Sequence, residues 1–281
     1  MRALEPLELG LMFWAKEDAR ETLREVKSFR VSAGQLGFPG EMNLAGKADE
    51  WSAALAAEDF PAVTAVLSYA GEDYADIPTV QRTVGLVPEA TRAERVARTK
   101  QVANIANELD IKSVACHIGF VPHDRGQPSY AQIRDIAREL CDHCARHGQS
   151  FTLETGQEPA DILLRFLADV DRPNLRINFD PANMILYGSG DPIEALRKLG
   201  PHVISVHCKD GDWPSKNDAG ALGKERALGA GSVDFPRFIA ALKEIGYTGI
   251  LSLEREETDQ VQRAADIRAG LKLLKRILDR E

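Results

Sequence analysis

Short apolar, β-branched runs alternate along the chain with longer amphipathic segments. Leu7 to Ala15, Phe29 to Gln35, Ala62 to Tyr69 and Ser113 to Ile118 read as strands. So do Ser150 to Glu154, Leu175 to Asp180, Val203 to Lys209 and Gly249 to Glu254. Helical periodicity fills the intervals: Glu17 to Lys27, Ala48 to Glu58, Thr91 to Leu109, Tyr130 to His147, Ala160 to Ala168, Pro192 to Leu199, Phe235 to Ile245 and Thr258 to Leu278. Asp191 before Pro192, and Asp234 before Phe235, have the position of N-caps.

This pattern makes eight strand–helix units, or about 35 residues each in a chain of 281. Strands joined by helical crossovers run parallel, and eight of them suit a single (β/α)8 TIM barrel over residues 1–281. An open doubly wound sheet is the rival. It usually carries a Gly-rich phosphate loop after its first strand, whereas here that strand ends in Trp14-Ala15-Lys16. Two strand-to-helix connections are long, Ala70 to Ala90 and Gly211 to Val233, and both belong on the face where barrel enzymes keep their sites.

Barrel strands are covered on both sides, so polar residues at their C-terminal ends need a reason. Four strands break the rule, ending in Thr152-Leu153-Glu154, Asn178-Phe179-Asp180, Ser205-Val206-His207-Cys208-Lys209 and Ser252-Leu253-Glu254. Side-chain alternation turns each i−2 polar residue to the same side as the terminal one. The intervals from Glu154 to Asp180 and from Asp180 to His207, 26 and 27 residues, each span one unit. Three converging carboxylates repel one another unless a cation or protons intervene. With one imidazole they suit Mn²⁺ best, then Mg²⁺ or Co²⁺, and Zn²⁺ less well. The bland alternative, strand caps and salt bridges, must hold at four strands in register.

The motifs LET at 153–155, NFDPANM at 178–184, VHCKD at 206–210, LGAGSVDF at 228–235 and LSLERE at 251–256 resemble the xylose-isomerase-like superfamily of sugar isomerases and epimerases. The resemblance is clearest over 110–281; earlier it rests on layout and on GFPG at 37–40. It implies one divalent metal on Glu154, Asp180, His207 and Glu254. In the ketose 3-epimerase branch it further implies that Glu154 and Glu254 act as an acid–base pair. The expected reaction is proton abstraction beside a carbonyl, through a metal-stabilised enediolate, on a sugar or keto-sugar. A dehydratase or lyase acting on an inosose or keto-glycoside begins with the same step and is the alternative. A DNA-repair endonuclease of the same superfold is a third reading; it would need a His-rich trinuclear zinc site, and this chain has six His. A homodimer or homotetramer is implied by the resemblance alone.

Further candidates surround this set. His117 ends the fourth strand and resembles a substrate-contacting His; the alternative is a rim His. Lys209 points inward, to hold an oxyanion or a sugar oxygen, unless it pairs with Asp210 or Asp212. Glu158 lies one helical turn past Glu154 and could take a sugar hydroxyl, or face solvent. Trp14 and Phe38 offer apolar walls for a sugar, or barrel core. Many epimerases of this family carry a His three residues after the metal Asp. This chain has Asn183, which can donate to a hydroxyl but carries no proton at neutral pH. No Arg stands where some epimerases hold the substrate's terminal oxygens, unless Arg226 folds in from its loop.

The formal charge of −8 argues against nucleic acid, and no run of about 20 apolar residues would span a membrane. Met1 to Glu8 lacks a signal-peptide pattern. Four cysteines and no export signal fit a reducing cytoplasm. Cys141 and Cys144 form a C-x-x-C, read either as a redox or zinc pair or as two small residues near a helix end.

Overall fold

A computed structural model describes residues 4–218 and 220–280. Eight parallel strands close into a barrel: β1 Leu9–Trp14, β2 Gly34–Phe38, β3 Ala62–Leu67, β4 Ser113–Cys116, β5 Ser150–Glu154, β6 Leu175–Phe179, β7 Val203–Cys208 and β10 Leu251–Leu253. β10 sits between β7 and β1 and completes the ring. The helices α1 Ala19–Ser28, α2 Lys47–Ala57, α4 Glu89–Glu108, α5 Pro128–Ala145, α6 Ala160–Val170, α8 Pro192–Leu199, α9 Phe235–Glu244 and α10 Gln260–Leu278 follow their strands. Their apolar stripes pack on the outward strand residues. In α6, for example, Leu163, Phe166, Leu167 and Val170 recur at helical spacing and are buried. Asp18, Asp191, Asp234 and Asp259 cap α1, α8, α9 and α10, each accepting from a backbone N–H of the first turn.

The second strand lies further along than its sequence suggests. Phe29 ends α1 instead, and Arg30 turns the chain with φ of 62°. Phe29 is buried from that helix end, so its apolar character reports the core and not a strand. The long connections hold structure of their own. α3 Ile77–Thr83, capped by Asp76, lies within the first, and the antiparallel hairpin β8 Asp210–Asp212 with β9 Lys224–Arg226 lies within the second. A further short helix, α7 Pro181–Tyr187, follows β6 directly.

Backbone contacts tie these insertions over the C-terminal end of the barrel. Buried Arg95 donates to the carbonyls of Thr83, Gly85 and Ala70 and lies over the Tyr69 ring, which fixes the loop after β3. The Ile77 N–H reaches the Gly220 carbonyl, and the Gly223 N–H reaches the Leu186 carbonyl. Asp210 organises the Gly-rich turn: its two oxygens accept from the N–H groups of Gly211, Val233, Gly229 and Gly231. A Cβ on Gly231 would stand 2.3 Å from Asp210 Oδ1, so only glycine permits this approach. Asp210→Asn sets an NH₂ against two of these donors. It is expected to cost roughly 3 kcal/mol in denaturant unfolding and to open residues 228–233 to proteolysis; an unchanged midpoint would refute this role.

Inside the barrel the lining is divided. Met12, Val66 and Ala115 form an apolar patch with Trp14. On the other strands stand buried polar residues, Gln35 of β2 with Thr152, Asn178, Ser205 and Ser252. All of these except Gln35 lie two residues before the four candidate ligands. Among the described residues no helix is long and apolar enough to cross a membrane. Cys141 and Cys144 are buried in α5, and burial pushes the Cys144 thiol up to about 12, so the pair is core packing.

Candidate metal centre and active-site cavity

The ends of β5, β6, β7 and β10 bring Glu154, Asp180, His207 and Glu254 together, with one ligand atom from each lying within 4.8 Å of all the others. His207 Nδ1 is the hub: Glu254 Oε2 is 3.0 Å away, Glu154 Oε1 3.4 Å and Asp180 Oδ2 3.7 Å. Register explains the convergence. Ser252 pairs with His207, and Glu154 pairs with Asn178, so neighbouring strands end at one level.

Two of these candidate ligands, Asp180 and Glu154, are held from behind. Asp180 caps α7, and its Oδ1 accepts from the N–H groups of Ala182 and Asn183. Its Oδ2 is then free to turn inward. Asn183 Nδ2 donates to Glu154 Oε1 at 3.0 Å. Asp180 Oδ2, His207 Nδ1 and Glu254 Oε2 are buried and have no hydrogen-bond partner. Buried polar atoms are rarely left so. Three acceptor atoms aimed at one point fit a divalent cation, and the oxygen-rich set fits a hard one.

The electrostatics agree. Burial opposes charge on His207, but Glu254 and Glu154 outweigh it and hold the imidazole well above its usual range. Burial raises the Asp180 carboxyl above the ordinary value. At Glu254 burial is overcome by His207 and Lys209, which hold the carboxyl far below the carboxylate range. At Glu154, likewise, His117 and His207 prevail over burial and lower it. Without a cation the cluster therefore holds a proton on the imidazole, and binding a cation there displaces it.

Above the cluster lies a cavity of about 370 Å³, the size of a small-molecule site. Glu154, Glu254, His117, Asn183 and Lys209 line it, with Trp14, Tyr74, Leu186 and Tyr187 as apolar walls and Leu222, Gly223, Glu225 and Glu256 from the hairpin and rim. His117 Nε2 is 3.4 Å from Glu154 Oε1, and Gln157 Nε2 donates to His117 Nδ1 at 3.3 Å. Lys209 is buried, with Nζ 3.5 Å from Glu254 Oε2 and 3.1 Å from Glu256 Oε1.

Not every expected residue joins the cavity. Glu158 turns away: it is buried, Oε1 accepts from the Val121 N–H at 2.8 Å, and burial pushes its carboxyl up to about 8. The bend after β5 turns Gln157 towards His117 and its neighbour Glu158 towards Val121. Phe38 is fully buried in the core. Arg226 stays on the hairpin, paired with Asp212. Lys209 pairs with Glu254 and Glu256 and not with Asp210, whose carboxylate is taken by backbone N–H groups. Tyr74 and Glu256, from loops, and Glu225, from the short hairpin strand β9, also line the cavity, and no periodicity marks them in the sequence.

A family model described as xylose isomerase-like TIM barrel matches residues 23–277. A xylose isomerase domain protein from Planctomyces limnophilus has a solved structure that superposes with a TM-score of 0.92 at 42% identity, over 97% of each chain. Sequence similarity links the chain to an L-ribulose 3-epimerase from Methylomonas sp., 27% identical over 150 residues, 50% of this chain and 47% of that protein. It also links it to a 3-dehydroshikimate dehydratase from Bacillus anthracis, 28% identical over 120 residues, 41% of this chain and 42% of that protein. The aligned regions span about half the length of the curated relatives. The chain belongs to the xylose isomerase-like TIM barrel family.

Proposed function

We propose that this chain is a divalent-metal-dependent isomerase or epimerase of keto-sugars, working by proton removal from the carbon beside a carbonyl. One observation carries the reading: three unpartnered acceptor atoms, of Asp180, His207 and Glu254, converge beneath a sugar-sized cavity. Glu154, Asp180, His207 and Glu254 would hold the cation, Mn²⁺ by preference for this ligand set. When bound, the cation stabilises negative charge developing on substrate oxygens.

The chain supplies the proton chemistry. Glu154 and Glu254 both reach the cavity, and a carboxylate on each side of a planar intermediate can remove a proton from one face and return one to the other. His117 and Asn183 orient Glu154. Lys209, held between Glu254 and Glu256, offers an N–H to a sugar oxygen. Trp14 and Tyr187 cover apolar sugar carbons, and the hairpin limits water. Lys209→Met is expected to lower turnover by roughly 10–100-fold while metal content stays at the native level; unchanged kinetics would reduce Lys209 to a structural ion pair.

A dehydratase shares the first step. It is favoured by the Lys209 ammonium beside Glu254, which can donate a hydrogen bond to a departing hydroxyl, and by similarity to the 3-dehydroshikimate dehydratase. The nuclease reading would need several His-rich metal positions, and among the described residues the candidate cluster contains one His. The test is deuterium uptake by NMR: Mn²⁺-loaded protein is incubated in heavy water with ketoses, inososes, keto-glycosides and 3-dehydroshikimate. Exchange beside the carbonyl with inversion or isomerisation supports the proposal. Water loss and a new double bond would make the chain a dehydratase, and no exchange with any substrate would overturn both readings.

A further inference from the structure

Gln35 is the second residue of β2, fully buried, and does not line the cavity. Its Oε1 is 3.0 Å from His207 Nε2, and its Nε2 donates to the Val206 carbonyl at 3.1 Å. Asn178 also meets the ring: its Nδ2 is 3.1 Å from His207 Nε2, and its Oδ1 accepts from Ser205 Oγ at 2.7 Å. Nε2 cannot donate to Gln35 and accept from Asn178 at once. The two amides differ in freedom. Asn178 can exchange its oxygen and nitrogen at the cost only of a long 3.4 Å contact from Gln35 Nε2 to its Oδ1, because Ser205 Oγ both donates and accepts. Gln35 cannot, because its oxygen would then face the Val206 carbonyl. Gln35 therefore decides the arrangement: Nε2 keeps its proton, so Nδ1, the atom that faces Glu154, Asp180 and Glu254, is where a cation replaces the second proton of the ring.

We infer that Gln35 is a positioning residue that fixes the tautomer and ring orientation of His207, presenting Nδ1 to the cation. This rests on the metal reading of the four-residue cluster. The Gln35–Val206 bond gives the acceptor a fixed direction, and an acceptor on the distal ring nitrogen makes an imidazole a better donor to a metal. Nothing about substrate is required of Gln35; it acts through His207 alone.

The test uses Zn²⁺ as a diamagnetic probe on the full chain labelled with ¹⁵N at histidine. Expected for His207 is a metal-bound Nδ1 and a protonated Nε2. Mn²⁺ affinity, measured by competition with a chelator, is expected to fall about 10–100-fold in Gln35→Met. In Gln35→Glu, whose buried carboxyl keeps an acceptor for Nε2 and, protonated, donates to the Val206 carbonyl, it is expected to stay nearer the native value than in Gln35→Met. A structural role alone would lower Tm in both variants without this split. Native affinity in Gln35→Met, equal losses in both variants, or metal on Nε2 would overturn the inference and leave the metal centre standing. If the native protein binds neither ion, the metal reading fails and this inference with it.

Discussion

His207→Ala is expected to abolish metal retention and to lower turnover by about 10³-fold or more. The imidazole is the contact point of Glu154, Asp180 and Glu254, and the cluster has no second nitrogen to replace it. Two carboxylates about 4 Å apart repel by about 4 kcal/mol at an effective dielectric near 20. The native protein offsets this with a cation or, when stripped, with a proton on His207, whose pKa is raised. The variant keeps only Lys209 and His117 beside the carboxylates, so it is expected to be destabilised by about 3–5 kcal/mol at neutral pH. Acid relieves that loss as the carboxylates take up protons. Elemental analysis with thermal unfolding at pH 5 and 7 checks both parts, and full metal content in His207→Ala would show that the ligand set is wrong.

Glu158→Gln is expected to stabilise the protein at high pH. The folded carboxyl is pushed up to about 8 from an ordinary 4.5 by burial. Between those values the folded state holds a proton that the unfolded state has released, so native stability declines as pH rises through the window. The full decline is on the order of 5 kcal/mol. Gln carries no charge to bury and keeps an oxygen for the Val121 N–H. The variant's Tm should therefore match the native value near pH 4.5 and exceed it above pH 8. Equal pH slopes in the two proteins would place a charge-compensating partner beside Glu158 and contradict the assignment.

The ligand set was legible because barrel geometry makes it so. A polar residue ending a doubly covered strand is costly, and Glu154, Asp180, His207 and Glu254 each have a polar residue two positions earlier on the same interior face. Side-chain alternation aligned all four, with one repeat length between each of the first three and the long loop after the seventh strand separating Glu254. The missing parts have a different origin. Gln35 went unseen because Phe29 drew the second strand towards the N-terminus, leaving Gln35 at a strand end instead of opposite His207. With β2 in its true register, a lone glutamine inside a buried parallel strand is itself a signal. Glu158 was placed by helical spacing, yet Thr155 to Pro159 forms a turn that points it at Val121. α7 is too short for periodicity to reveal, and Tyr74, Glu225 and Glu256 reach the cavity through tertiary contacts such as Ile77 with Gly220, which no local pattern encodes.

Function follows from how these layers are stacked. The buried polar residues of β5, β6, β7 and β10 lead up to the four candidate ligands; two of these, Glu154 and Glu254, line the floor of the cavity; the inserted hairpin and α3 loop form its roof. The account depends most on the floor. The direct measurement is the metal content of the purified protein after chelation and reloading with Mn²⁺, beside Asp180→Asn treated in the same way. One Mn²⁺ per native chain, lost in Asp180→Asn, is the predicted result. No retained metal in the native chain, or equal retention in both proteins, would contradict the centre formed by Glu154, Asp180, His207 and Glu254.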